Sequence, residues 1–130
     1  MTHEELKAAA VAMLDRAYVP YSHFPVGAAL ECSDGTVFTG CNIENASYTP
    51  TICAERTAVS KAVSEGHRDF VRIVIAGRSE DFCVPCGVCR QVLWEFAPEL
   101  EIICLNGAGE ERVFTLPELL PHSFGPEYLL

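Results

Sequence analysis

The chain has 130 residues, 49% of them hydrophobic and 21% charged, and its formal net charge is −9 at pH 7. This length and composition predict one folded domain over residues 1–130 and argue against a disordered chain. The excess of acidic over basic residues disfavours nucleic acid as a partner, because a negatively charged protein on average repels phosphates. Apolar runs are short and the first residues carry both signs of charge, so we expect no membrane association, no signal peptide and a cytoplasmic location.

The first half of the chain predicts two helices on either side of a hairpin. Apolar residues at helical spacing predict a helix over 2–17, with Thr2 as N-cap and Glu5 three residues further on. Residues 24–32 and 36–41 have the pattern of two strands joined by a tight turn. A polar loop over 42–52 precedes a second helix over 53–65, which Gly66 ends.

The second half predicts strands that alternate with helices. A strongly apolar run at 71–76 indicates a strand covered on both faces. Further strands are predicted at 101–105 and 111–114, and helices at 86–96 and 116–120. This alternation indicates an α/β fold in which helices cover a sheet, although it does not specify the strand order.

Seven cysteines, an odd number, favour metal binding over disulfides in a chain without an export signal. Cys53 begins one predicted helix, and Cys86 and Cys89 lie in the first turn of another. A Cys-x-x-Cys pair in a first helical turn can direct two sulfurs at one ion, and a third thiolate from another helix start would complete the set. Zinc suits soft thiolates, and a catalytic zinc keeps three protein ligands and leaves its fourth position to water.

Glu55 and Arg56 follow the first of these cysteines. Glu55 lies two residues after Cys53, which makes it a poor second ligand but places a carboxylate near the metal-bound water, as a proton shuttle requires. Three thiolates more than neutralise Zn²⁺. Arg56 and the two helix N-termini are predicted to withdraw charge from the sulfurs, so that bound water could still ionise near neutral pH.

The motif Cys53-Ala54-Glu55, followed by Pro85-Cys86-Gly87-Val88-Cys89, resembles the signature of the zinc-dependent nucleobase and nucleoside deaminases. With cysteine as the first ligand, the chain resembles the small, homotetrameric cytidine deaminases. The resemblance covers nearly the whole chain and includes residues 24–30, 40–48, 53–58, 85–91 and 123–125.

This resemblance implies a three-layer α-β-α sandwich with a mixed central sheet of about five strands, and one Zn²⁺ per subunit on the three cysteines. It implies hydrolytic deamination of cytidine and 2′-deoxycytidine in pyrimidine salvage, by a zinc-bound hydroxide that attacks C4 with Glu55 as proton shuttle. The implied partners are a nucleoside substrate and, in a homotetramer, subunits that share active sites.

Substrate contacts are also predicted. Asn42 and Glu44 are one residue apart in an extended segment, so they point the same way and suit sugar hydroxyls; the resemblance assigns them to the ribose 3′-hydroxyl. It places the Phe24 ring against the pyrimidine face, and backbone groups near Cys53, Ala54 and Cys86 at the amide edge of the base. It also suggests three residues that reach a neighbouring subunit's pocket: Ala46, Tyr48 and Phe124.

Other interpretations remain open. Cys83 could join the other three cysteines in a closed, four-thiolate structural zinc site without catalytic activity. A related small molecule, such as the nucleoside antibiotic blasticidin S, could replace cytidine as substrate, whereas polynucleotide editing is disfavoured by the net charge. Core packing is the expected role of three further cysteines, and the four histidines have no ligand spacing. These cysteines are Cys32, Cys41 and Cys104.

Overall fold

A five-stranded mixed sheet forms the centre of the structure, a computed structural model that describes residues 1–130. The strands are β1 (Gly27–Cys32), β2 (Val37–Cys41), β3 (Phe70–Ala76), β4 (Glu101–Leu105) and β5 (Glu111–Thr115). The helices are α1 (His3–Ala12), α2 (Ala54–Ser64), α3 (Gly87–Phe96) and α4 (Leu116–Leu119), with 3₁₀ turns at Met13–Arg16 and Pro126–Tyr128. None of these helices has the length and apolar character needed to cross a bilayer.

The sheet has the order β2-β1-β3-β4-β5, in which β3 and β4 are parallel and every other neighbouring pair is antiparallel. Helix α3 connects the two parallel strands. Because side chains alternate along a strand, neighbouring residues pack on opposite faces: Ala28 and Ile75 lie in the core beneath α2 and α3, whereas Ala29 and Val74 pack against α1. The predicted three-layer sandwich with a mixed sheet of five strands is confirmed.

Two predicted boundaries differ from the structure by more than one residue. The helix predicted over 2–17 ends at Ala12 and tightens into a 3₁₀ turn. The strand predicted over 24–32 begins only at Gly27. The ladder stops there because Pro25 has no N–H to donate, and because the Val26 N–H and the Phe24 carbonyl bond to the side chain of Asn42.

Thr2 caps α1 as predicted. Its hydroxyl accepts from the Glu5 N–H at 3.2 Å, and the Glu5 carboxylate accepts from the Thr2 N–H at 3.0 Å. Replacing Thr2 with alanine is expected to lower the free energy of unfolding by about 1 kcal/mol, measured by urea denaturation. Ser60→Ala, at an exposed position within α2, is the control and should change it by less than about 0.5 kcal/mol. Equal stability of the two variants would show that the cap contributes nothing.

Candidate metal centre and active site

Three cysteines bring their sulfur atoms together where α2 and α3 begin. The Cys86 Sγ lies 3.8 Å from the Cys53 Sγ and 3.5 Å from the Cys89 Sγ, and all three sulfurs lie within 4.8 Å of one another. A tetrahedral zinc with Zn–S bonds of about 2.3 Å needs sulfurs about 3.8 Å apart. The cluster therefore has both the donor type and the spacing that zinc requires.

The positions of these cysteines follow from how the two helices start. Cys53 and Cys86 are the N-cap residues of α2 and α3, with extended backbones, and neither side chain caps its own helix. Cys89 is the third residue of α3, and an N3 side chain lies beside the N-cap side chain. The sulfurs are therefore free to bind a metal, and the unpaired N–H groups of two helix N-termini stabilise their negative charge.

Arg56 adds positive charge beside the cluster. Its guanidinium donates to the Cys53 Sγ at 3.5 Å and to the Thr51 carbonyl oxygen at 3.4 Å. Hydrogen bonding from the Cys89 thiol, and then from Arg56, lowers the pKa of Cys53 to about 5. The same bond to Cys53, together with burial, raises the pKa of Cys89. An environment that stabilises thiolate favours metal binding, because the metal replaces thiol protons.

Glu55 is the second residue of α2 and only 4% exposed. Burial, and then the negative charge of Cys53, raise the pKa of its carboxyl to about 7. A carboxyl that titrates near neutrality can both accept and donate a proton at working pH, as a general acid–base catalyst must. Unlike a typical carboxylate in a first helical turn, Glu55 is therefore not a solvated surface group.

A cavity of about 150 Å³ lies against this cluster. Its walls are mainly hydrophobic, which suits the flat face of a heterocyclic base. The structure brings to this cavity six of the twelve site residues predicted from the sequence, namely Phe24, Asn42, Cys53, Ala54, Glu55 and Cys86. Val26 and Val84 also line it. These two residues were not predicted, because an apolar residue beside a strand or in a loop gives no signal of facing a ligand.

Asn42 lines this cavity and Glu44 lines a separate surface pocket with Tyr21 and Ser22, and both side chains bond to the loop before β1. The Asn42 amide accepts from the Val26 N–H at 2.9 Å and donates to the Phe24 carbonyl at 2.8 Å. Glu44 accepts from the Tyr21 and Ser22 N–H groups at 3.1 Å each, with the same oxygen, Oε1. These bonds hold the loop that carries Phe24, and the shared direction of the two side chains toward a sugar hydroxyl stays a prediction.

The three residues predicted to cross to another subunit lie on the outer surface. Ala46 is exposed, Tyr48 is 80% exposed and Phe124 is 54% exposed. Phe124 stacks on Tyr128 with the ring centres 5.1 Å apart. None of them lines the cavity of its own chain, so a contact with another subunit's pocket stays a prediction.

Cys83 lies outside the sulfur cluster, although it lines the same cavity. Its backbone N–H donates to the Leu105 carbonyl at 3.1 Å, and its side chain packs over Gly77. Burial raises the pKa of its thiol to about 12. The arrangement does not favour a four-thiolate zinc site. The remaining three cysteines are buried, as predicted: Cys32, Cys41 and Cys104.

Gly40 of β2 allows α2 to lie directly on the sheet. A Cβ at this position would overlap the Ala54 carbonyl oxygen and lie 2.7 Å from the Ala58 nitrogen. Gly40→Ala is expected to push α2 away, to destabilise the fold by about 1–3 kcal/mol and to weaken zinc retention, because α2 begins at Cys53. Thermal unfolding and zinc analysis measure both effects. In Gly87→Ala, the stability control, the new Cβ meets nothing within 4 Å, and equal stability of the two variants would contradict the expectation.

Three protein ligands around a metal, with a cavity and a buried carboxyl alongside, are typical of a catalytic zinc site and not of a closed structural one. Fold and site together therefore define a zinc-dependent hydrolase.

Comparison with known proteins identifies the family. The family model described as "Cytidine and deoxycytidylate deaminase zinc-binding region" matches residues 1–105. The chain is 46% identical to the cytidine deaminase of Sporosarcina psychrophila over 99% of this chain and 96% of that one. It is 47% identical to the cytidine deaminase of Halalkalibacterium halodurans over 98% and 97%. The chain belongs to the cytidine and deoxycytidylate deaminase family.

The fold agrees with a solved structure from the same family. The crystal structure of cytidine deaminase from Burkholderia pseudomallei is 48% identical in sequence and superposes with a TM-score of 0.92, over 95% of this chain and 100% of that one. The family resemblance and the zinc cofactor predicted from the cysteine motifs are therefore confirmed.

Proposed function

We propose that this chain catalyses the hydrolytic deamination of cytidine and 2′-deoxycytidine to uridine and 2′-deoxyuridine, with release of ammonia, in pyrimidine salvage. The observation that carries the proposal is the buried Glu55 carboxyl beside three converging sulfurs in a largely apolar cavity. The relatives at 46% and 47% identity are named cytidine deaminases, which favours plain nucleosides over blasticidin S as substrates.

The residues present fit a zinc ion, which Cys53, Cys86 and Cys89 would hold. When bound, zinc supplies the Lewis acidity that makes water a nucleophile at neutral pH. Arg56 and the two helix N-termini offset part of the charge of three thiolates, so that the cation keeps enough positive charge to acidify water.

Glu55 moves the protons in this mechanism. It accepts one from the water that adds to C4 of the pyrimidine and delivers one to N3. Once C4 is tetrahedral, Glu55 takes the proton of the new C4 hydroxyl and passes it to the amine nitrogen. The C4–N bond then breaks, the C4 carbonyl forms and ammonia leaves. Its low exposure keeps bulk water from competing for these protons.

The remaining cavity residues orient the nucleoside. The Phe24 ring stacks on the pyrimidine, and backbone groups near Ala54 bind the amide edge of the base. Asn42 holds the Phe24 loop through its two hydrogen bonds and retains one N–H and one lone pair for a sugar hydroxyl. Glu44 uses only Oε1 in its bonds to the loop, which leaves Oε2 to accept from the 3′-hydroxyl.

The role of Glu44 can be tested with a substrate that lacks the hydroxyl. Glu44→Gln is expected to lower kcat/KM for 2′-deoxycytidine by roughly 10–100-fold, because a hydrogen bond to a charged group contributes about 1.5–3 kcal/mol. For 2′,3′-dideoxycytidine, the matched control, the same substitution should change kcat/KM only slightly. An equal loss on both substrates would show that Glu44 acts only through the Tyr21–Ser22 backbone.

We also propose a homotetramer in which Ala46, Tyr48 and Phe124 reach a neighbouring subunit's pocket. The exposed aromatic side chains of Tyr48 and Phe124 support it, since large exposed apolar groups often mark interfaces. Light scattering coupled to size exclusion measures the mass, and a monomer with full activity would refute shared sites. All seven cysteines are free, which suits the reducing cytoplasm that we propose as the location.

The direct test is an assay of purified, zinc-loaded protein with cytidine, followed by the loss of its ultraviolet absorbance. Turnover of cytidine and 2′-deoxycytidine is expected, with blasticidin S as the comparison substrate. Negligible turnover of both nucleosides would refute the proposed function.

A further inference from the structure

Arg90 lies in α3, one residue after Cys89, and its guanidinium joins two distant carbonyl groups. Its Nε donates to the Pro85 carbonyl oxygen at 2.7 Å. Its Nη1 donates to the carbonyl oxygen of Leu119, the last residue of α4, at 2.8 Å. Pro85 is fully buried and directly precedes Cys86. The planar, forked guanidinium suits this double contact, because it carries several donors in fixed directions.

These bonds secure the peptide groups on both sides of Cys86. The Pro85 carbonyl belongs to the same rigid peptide plane as the Cys86 nitrogen. The next carbonyl, that of Cys86 itself, accepts from the backbone N–H of Arg90 at 2.9 Å. Cys86 is exposed and its side chain makes no cap bond, so few other contacts limit its rotation. The peptide groups on both sides of the Cys86 α-carbon are therefore bonded to Arg90.

The same region of α3 also holds the segment 119–124. Gln91, the next residue, donates from its side chain to the Phe124 carbonyl at 2.8 Å. Arg90 and Gln91 therefore hold the two ends of this segment. Arg90 does not line the cavity, so it has no direct route to a substrate.

We propose that Arg90 is a positioning residue, which orients the Pro85–Cys86 peptide so that the Cys86 sulfur faces the metal and which couples this peptide to the segment 119–124. The inference rests on the proposed zinc site. It concerns metal retention and geometry, which are measurable without any turnover.

The test uses zinc-loaded and cobalt-substituted Arg90→Lys and Arg90→Gln. Lysine has a single ammonium group, so it cannot donate to the Pro85 and Leu119 carbonyl oxygens at the same time as the forked guanidinium does. Loss of a contact that orients a ligand typically weakens metal binding by about 10–100-fold. We therefore expect zinc transfer to a chromogenic chelator to be faster by about that factor, and the thiolate-to-cobalt absorption bands to shift, with lysine less affected than glutamine.

Arg72→Lys is the matched control. Arg72 pairs with Glu31 at 2.9 Å near the start of β3, whereas the metal cluster lies beyond the other end of that strand, so zinc release should be unchanged. Folded Arg90 variants with wild-type zinc release and an unchanged cobalt spectrum would overturn the proposal. A lower melting temperature alone, with metal behaviour intact, would also overturn it, because it indicates a purely structural role.

A second measurement on the wild-type protein does not depend on how the variants fold. If Arg90 couples the two regions, removing zinc should accelerate amide hydrogen exchange both at the start of α3 and in residues 119–124, including the Leu120 N–H that bonds to Leu116. Unchanged exchange in 119–124 would overturn the coupling. Absence of cytidine turnover in a protein that binds zinc normally would refute the proposed function and leave this inference intact.

Discussion

Replacing Glu55 with glutamine is expected to reduce cytidine turnover by roughly 10⁴-fold, the upper end of what one acid–base group contributes. Glutamine has nearly the same shape but cannot take up and return a proton. The side chain is only 4% exposed, so bulk water cannot readily replace it. We place the loss at the upper end because one carboxyl serves the water, N3 and the leaving amine.

Zinc should stay bound in this variant at about one ion per chain, because Glu55 is not among the three clustered ligands. Zinc analysis and the absorbance assay therefore separate the two roles of the site. Glu65→Gln, an exposed carboxylate just beyond the other end of α2, is the control and should keep normal turnover. Near-normal activity of Glu55→Gln would refute the proton-shuttle role, and loss of zinc would instead indicate that Glu55 is a ligand.

Cys89→Ser is expected to lose bound zinc and activity together. Cys89 is fully buried and its sulfur lies 3.5 Å from that of Cys86. A serine hydroxyl is a poor substitute, because zinc in such sites is bound by thiolate and the hydroxyl stays protonated. Zinc content should therefore fall from about one ion per chain to near zero, and a chelator that lowers the melting temperature of the wild type should not lower that of the variant.

Cys83→Ala is the comparison variant for this measurement of zinc content. Cys83 lines the cavity but is absent from the sulfur cluster, so this variant should keep about one zinc per chain. If Cys83→Ala lost its zinc as Cys89→Ser does, the four-thiolate site would be correct and the fourth position would not be open to water.

The zinc site was predictable because its components are local. A Cys-x-x-Cys pair at a helix start brings its own two sulfurs together, since N-cap and N3 side chains are neighbours. The placement of Cys86 and Cys89 on one side of α3 thus follows from ten residues of sequence. Cys53 was predicted as the third ligand because it begins another helix, and the family resemblance agreed. Only the fold brings it to the pair, since it lies 33 residues before Cys86.

The double role of Asn42 was not predictable in the same way. Its spacing from Glu44 indicated that the two side chains share a direction, and the structure shows that both bond to the loop before β1. That its amide would bond to the backbone on both sides of Pro25 depends on how the loop before β1 folds over the end of β2. The same folding explains why β1 begins at Gly27 rather than at Phe24.

The sequence by itself determined the local elements of this protein: the capped start of α1, the strands that alternate with helices and hence the α/β class. These depend on contacts within a few residues of the chain, which composition and periodicity encode directly. Only the tertiary structure decided the strand order, the exclusion of Cys83 from the sulfur cluster and the contact of Arg90 with Leu119, 29 residues away. Such contacts depend on how separate elements pack, and no short stretch of sequence contains both partners.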